Sequence, residues 1–381
     1  MQDKMLAKKY FLDMVSASIK GLPVPACPEN INSELIYKLS VRNAVQGILY
    51  LAVKQGAVPL PAELTDKLNK SYIATLMREA SQVEEIEFIR NTFAENKIKF
   101  MLLKGSHLKA LYPIPEMRFM VDMDVLVHEE DMDKGRDIIL SRGFKQEMNN
   151  GKDIVLIKEP MLTIELHKML FIEEYFMHDY FSSVWDRIEK VSEYEYKMPI
   201  NDLYVYTLAH LAEHYLEAGS CFRPMMDLYL MHKHYESTLD FDYILEQFKK
   251  IGIKDFATNI IKLYKCMFGD ENSYDDTLTM MENYIVFGAP VKNANEASKI
   301  AVENKSKSQK IWQKLFPSYK VMILRYGILK KLPFLLPIFW GIRILSKLFK
   351  FDDSSTRYER LKNVQQNDVE IMKEIFQKSG L

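Results

Sequence analysis

The sequence predicts an α+β protein in which a small mixed-sheet core lies between N-terminal and C-terminal all-α regions. Three observations carry that expectation. Apolar residues recur at three- to four-residue steps up to about residue 90 and again beyond about residue 200, the period of helices that bury one face. Between these tracts stand short apolar runs bounded by glycine, proline or acids, IKFMLLKG, DMDVLV, DIVLIK and MLTIELHK, which read as strands. With 48% hydrophobic and 27% charged residues over 381 positions, the chain has the composition and length to bury a real core.

Residues 1–90 form the first helical region, with SELIYKLSVRNAVQGILYLAVKQ and SYIATLMREASQVEEIEFIRNTFAENK punctuated by Pro23, Pro25, Pro28, Pro59 and Pro61. The α/β core takes residues 91–190. There IKFMLLKG is followed by a short helix, SHLKALYP, stopped by Pro113 and Pro115, and then by the strand DMDVLV. EEDMDKGRDIILSRGF opens on acids and ends at Gly143, as an amphipathic helix does. DIVLIK and MLTIELHK flank Glu159-Pro160 as a hairpin. The C-terminal helical region, residues 191–381, contains NDLYVYTLAHLAEHYLEAG, PMMDLYLMHKHYE, DFDYILEQFKKIG and KDFATNIIKLYKCMFG, with a polar loop near 288–310.

Candidate chemistry concentrates in the core. Asp122 and Asp124 are one residue apart at the mouth of a strand, so their carboxylates share a face and repel. Glu165 brings a third carboxylate from a later strand. Hard divalent cations take oxygen ligands and neutralise such a cluster, and a pair of ions can clamp the entering and leaving oxygens of a phosphoryl displacement. Upstream, Gly105 and Ser106 close one strand and open a helix, where backbone N–H groups and a hydroxyl can face an anion. Lys104 and Arg118 add positive charge nearby.

KGSHLKALYP, RFMVDMDVLV and IELHK together resemble the uncharacterised nucleotidyltransferase family of the polymerase-beta-like nucleotidyltransferase superfamily. The flanking stretches RNAVQGILYLAVKQG, HLAEHYLEAGSCFRPMMDLYLM and LKKLPFLLPIFWGIRIL extend the resemblance. It implies a nucleotidyltransferase core and metal-dependent transfer of a nucleoside monophosphate from an NTP such as ATP to an acceptor hydroxyl, with Mg2+ or Mn2+ as cofactor and pyrophosphate leaving. By that resemblance Gly105 and Ser106 hold the triphosphate, Asp122 and Asp124 the metals, and Glu165 a metal or the nucleophile's proton. Lys104 and Arg118 are assigned phosphate contacts from charge and position. One departure is the third acid, a longer Glu where the best-known enzymes of the superfamily carry Asp.

Further residues are placed at an acceptor cleft: His167, on the same strand face as Glu165; His210 and His214, one turn apart on a helix; and Arg223 and Asp227 on the next. The acceptor, whether small molecule, peptide, protein or RNA, is not identified by any motif. His210-Leu-Ala-Glu213-His214 also matches the H-x-x-E-H zinc signature, without a clear third ligand. A rival to the enzyme is a degenerate module that binds a nucleotide or a partner protein without turnover.

Lys and Arg (51) balance Asp and Glu (52), so global charge points neither to nucleic acid nor to a membrane. P-loop and Rossmann fingerprints are missing, and no clear nucleic-acid groove is signalled. Three widely spaced cysteines, Cys27, Cys221 and Cys266, suit a reducing compartment. The N-terminus reads as a mature helix, and no transmembrane segment is expected, so the protein is expected to be cytoplasmic. Residues 330–350, basic and apolar, are read as core or interdomain packing, with peripheral membrane contact as the alternative.

Overall fold

The computed structural model describes residues 2–173, 175–219, 221–303, 316, 319, 322, 326–349 and 363–381. Two compact units result, one comprising Met1–Ala212, Ser220–Phe287 and Gly380–Leu381, the other Glu213–Gly219 and Gly288–Ser379.

The first unit begins with four helices, α1 (Gln2–Ile19), α2 (Ser33–Arg42), α3 (Gln46–Lys54) and α4 (Ala62–Glu95). Asn32 caps α2, its side chain accepting from the Glu34 N–H at 2.9 Å. The sheet then forms from β1 (Phe100–Leu102), β2 (Met123–Val127), β3 (Lys145–Asn149), β4 (Asp153–Lys158), β5 (Leu162–His167), β6 (Glu189–Lys190) and β7 (Glu195–Lys197). Their spatial order is β3-β4-β5-β2-β1-β7-β6. β2 runs parallel to β5 and β1 parallel to β7; the other pairs are antiparallel, so the sheet is mixed. α5 (Gly105–Leu108) follows β1, and α6 (Met132–Ser141) joins β2 to β3.

Strand alternation divides the sheet chemically. Met123, Val125 and Val127 of β2, Ile154 and Leu156 of β4, and Leu162, Ile164 and Leu166 of β5 are buried with Ile89 and Phe93 of α4 and Ile139 of α6. Asp124, Glu165, His167 and Asp153 occupy the alternate positions. The apolar run of β2 therefore anchors the strand while its intervening carboxylate stays on the other face.

Beyond the sheet, the first unit continues through α7 (His178–Phe181), α8 (Ile200–Leu216, as far as Ala212), α9 (Phe222–His234), α10 (Phe241–Ile251), α11 (Lys254–Phe268) and α12 (Asp276–Phe287). A hydrogen bond of 2.8 Å between the Tyr204 and Tyr264 hydroxyls ties α8 to α11. A buried Lys8–Glu282 ion pair ties α1 to α12. β7 lies beyond residue 190, where the core was expected to end, and supplies a parallel partner for β1.

In the second unit α13 (Ala294–Glu303) packs against α15 (Gln366–Ser379), and α14 (Leu336–Phe349) lies between them in sequence. α13 stands within the stretch expected as a polar loop near 288–310. Its polar composition concealed a buried side made by Ala297, Ser298 and Ile300. Residues 304–310 of that stretch lie outside the described residues.

Candidate functional site

The register of two parallel strands assembles the site. Asp124 on β2 pairs with Glu165 on β5, and Leu126 with His167. Since Glu165 and His167 share a face two residues apart, a carboxylate, a second carboxylate and an imidazole converge. His167 Nε2 stands 3.2 Å from Asp124 Oδ1 and 3.5 Å from Glu165 Oε2. The ligand atoms of Asp124, Glu165 and His167 all lie within 4.8 Å of one another. Asp122, immediately before β2, belongs to the same electrostatic group.

The local charges show the strain of that grouping. Glu165 is pushed up to about 7, first by burial and then by the charges of Asp124 and Asp122. Asp122 is also raised, by burial and by Asp124, while Arg223 and Lys104 pull against the shift. At Asp124 burial acts upward, but the His167 hydrogen bond and charge, with Lys104 and Lys152, outweigh it and bring the carboxyl down to about 2. One carboxylate is thus held ionised by its imidazole and its neighbours resist ionisation. A divalent cation would relieve that repulsion, and the donor set of oxygens and one ring nitrogen fits such an ion.

Behind His167 stands Asp153. The buried His167 Nδ1 makes no hydrogen bond and lies 3.7 Å from Asp153 Oδ2, while Asn150 Nδ2 donates to Asp153 Oδ1 at 2.8 Å. In the metal-free site Nε2–H is the donor to Asp124; with a cation in place, a proton on Nδ1 facing Asp153 would free the Nε2 lone pair for the ion. A carboxylate behind a ligating imidazole is the usual way of setting the tautomer of a metal-bound histidine.

The Gly-Ser turn closes over the same end of β1. The Leu103 N–H donates to the Asp124 carbonyl at 3.0 Å, which ties the turn to β2. Gly105 is required by close approach: a Cβ there would stand 2.4 Å from Met120 Sδ and 3.3 Å from Arg118 Nη1. Ser106 is half-buried in the first turn of α5. Lys104 is buried, with Nζ 4.6 Å from the centre of the Tyr206 ring.

The other sequence candidates are placed differently. Arg118 is buried and donates from Nε to Asp227 Oδ1 and from Nη2 to Asp227 Oδ2, both at 2.8 Å. Tyr112 donates to Asp227 Oδ1 at 2.8 Å. Arg223 Nη1 donates to the Phe119 carbonyl at 2.6 Å. Asp227 thus ties Tyr112 and Arg118 to α9, and Arg223 ties the Phe119 carbonyl to the same helix. His210 belongs to the first unit and His214 to the second; among the described residues, the metal-capable group contains neither of them.

Residues 29–269 match the family described as uncharacterised nucleotidyltransferase. The chain belongs to that family. The matched span contains the Gly-Ser turn, both aspartates, Glu165 and His167. No curated protein and no solved structure matches this nucleotidyltransferase-family chain.

Sequence reasoning missed Asp153, Tyr112 and Tyr206. Asp153 had a signal, because it faces His167 across the β4–β5 hairpin. Tyr112 and Tyr206 had none, since each acts through a partner distant in sequence.

Proposed function

We propose that the protein transfers a nucleoside monophosphate from an NTP to an acceptor hydroxyl. The observation that carries this reading is the strand register that sets Asp124 beside Glu165, with His167 and Asp122 completing a compact group of metal-ligand chemistry. Asp122, Asp124 and Glu165 would hold Mg2+ or Mn2+, with His167 as a further ligand. The ions would supply charge neutralisation to the triphosphate and to the oxygens that enter and leave.

The chain's own groups do the rest. Gly105 and Ser106 bear on the triphosphate at the start of α5, and Lys104 adds charge from the same turn. Arg118 lies close to that turn, its Nη1 3.3 Å from where a Cβ on Gly105 would stand, while Asp227 holds Nε and Nη2. Glu165 takes either a metal or the acceptor's hydroxyl proton; burial and the neighbouring aspartates raise its basicity in the metal-free site, which favours the second role where it is left off the ions. The freed oxygen attacks the α-phosphorus, the bond to the bridging oxygen of the β-phosphate breaks, and pyrophosphate departs. Arg223 and His210 stand as acceptor-cleft residues, and ATP is the first NTP to test. A reducing cytoplasmic setting is the reading suggested by the small number and wide spacing of the cysteines.

The test is pyrophosphate release from each NTP with Mg2+ or Mn2+, with a cell lysate as the source of acceptor. Activity lost in Asp122→Ala and Asp124→Ala supports the enzyme. NTP binding without release, unaltered by those substitutions, would assign the chain to the non-catalytic alternative.

A further inference from the structure

Among the described residues, the second unit has a run of exposed apolar side chains before and on α14. On α14 and the turn before it, Phe339 packs on Tyr326 with ring centres 4.7 Å apart, and Trp340 meets Phe316 edge-on at 5.5 Å. Phe334, Ile338 and Ile342 are 72%, 58% and 45% exposed. Ile338 and Ile342 are one helical turn apart on α14, and Phe334 precedes them by the same step. Ile328 and Leu332 add two more exposed apolar side chains from the preceding turns. Single exposed apolar residues are ordinary, but a run of this kind marks a contact surface. The expectation of core or interdomain packing for residues 330–350 does not account for these side chains.

The charge of the same part of the chain identifies what covers it. The whole protein has a net charge of -1, yet residues 304–350 contain eleven Lys and Arg and not one Asp or Glu. Several of these lie outside the described residues and enter as sequence alone. Lys330, Lys331, Arg343 and Lys347 flank or interleave the exposed apolar residues. Among the described residues no helix is long and apolar enough to cross a membrane. A segment with exposed aliphatic and aromatic side chains inside a stretch of sequence this basic has the chemistry of one lying in the headgroup plane.

We propose that this segment docks the protein on an anionic phospholipid surface, with Phe334, Ile338 and Ile342 entering the acyl boundary and the positive charge of the surrounding sequence drawing it to lipid phosphates. Nucleic acid would use the charge and stack on aromatic rings, but it offers nothing to Ile338 and Ile342. An acidic leaflet uses both. The proposal is independent of the nucleotidyl-transfer reading.

Sedimentation of the full-length protein with vesicles tests it. On phosphatidylcholine containing about one-quarter phosphatidylglycerol the protein should pellet, and on phosphatidylcholine alone its partition should fall by at least about tenfold, since each nearby basic residue is worth about fivefold. Raising salt from about 0.1 M to about 0.5 M should weaken the binding. The combined Phe334→Ser, Ile338→Ser and Ile342→Ser variant should lose about tenfold or more in partition with its thermal midpoint unchanged. Lys330→Gln with Lys331→Gln should weaken binding to the anionic vesicles alone. Failure to pellet with anionic vesicles would overturn the proposal, as would undiminished binding by the triple serine variant. Tight binding to poly(U) that survives that variant, without vesicle binding, would assign the surface to nucleic acid instead.

Discussion

Arg118 and Asp227 form a two-pronged buried ion pair across 109 residues of sequence, joining the segment before β2 to α9. The pair holds the approach to the acidic strand from below. Tyr112 donates to the same carboxylate, so Asp227 serves three donors.

Asp227→Ala leaves the Arg118 guanidinium buried without a counter-charge and should cost roughly 3–5 kcal/mol of stability. Tyr112→Phe removes one hydrogen bond and should cost about 1 kcal/mol. Replacing both ion-pair partners with apolar residues of similar volume should cost far less than Asp227→Ala. Urea unfolding of the four proteins checks the ranking; equal losses for the single and double substitutions would show that the pair does not carry that energy.

Glu165→Gln should separate the needs of folding from those of the site. Removing a carboxylate that burial and two aspartates resist ionising should raise the thermal midpoint of the metal-free protein at pH 8. The same substitution should abolish most of the stabilisation gained from Mn2+. Thermal scans in chelator and in millimolar Mn2+ measure both. A midpoint unchanged in both conditions would make Glu165 an ordinary strand residue.

Gly105→Ala pushes a methyl group against the buried Met120 and toward Arg118. Overpacking of that kind costs about 1–3 kcal/mol. NTP affinity, read by titration of a fluorescent analogue, should fall with it, whereas Gly143→Ala, at a positive-φ glycine outside the site, should lose stability without loss of affinity.

Acid should weaken the fold partly through His107. Burial lowers its pKa, against a hydrogen bond from Nε2 to the Leu102 carbonyl at 3.0 Å. The folded state therefore binds fewer protons than the unfolded chain below about pH 6.5, the ordinary histidine value. Its contribution is complete above that pH and is lost as the pH falls toward the lowered folded value. The slope from one proton is at most about 1.4 kcal/mol per pH unit. His107→Gln should flatten the fall in stability between pH 7 and pH 5.5; an unchanged slope in urea titrations would exclude this residue as its source.

Much of the core could be read from local pattern. The runs DMDVLV and MLTIELHK became β2 and β5, with their acids on the face away from the apolar core, because a period of two decides which side each residue takes. Asp153 was within reach as well: counting outward from the hairpin centre at Pro160 sets it opposite His167. Other features had no local signal. β3 is exposed along its whole length and shows no apolar alternation, and β6 is two residues long. The Asp124–Glu165 register depends on a parallel pairing that no hairpin enforces, and the Arg118–Asp227 pair on packing between a loop and a distant helix. Those are properties of the assembled tertiary structure, to which sequence period is blind.

The parallel neighbours β2 and β5 are connected through α6, β3 and β4, so the clustered acids meet only after that whole excursion has folded back. An ion captured by Asp124, Glu165 and His167 would then find no comparable binding geometry in the open chain. Its kinetic effect should fall on the escape from the native state, acting as a latch on the closed crossover rather than as a nucleus that hastens its formation.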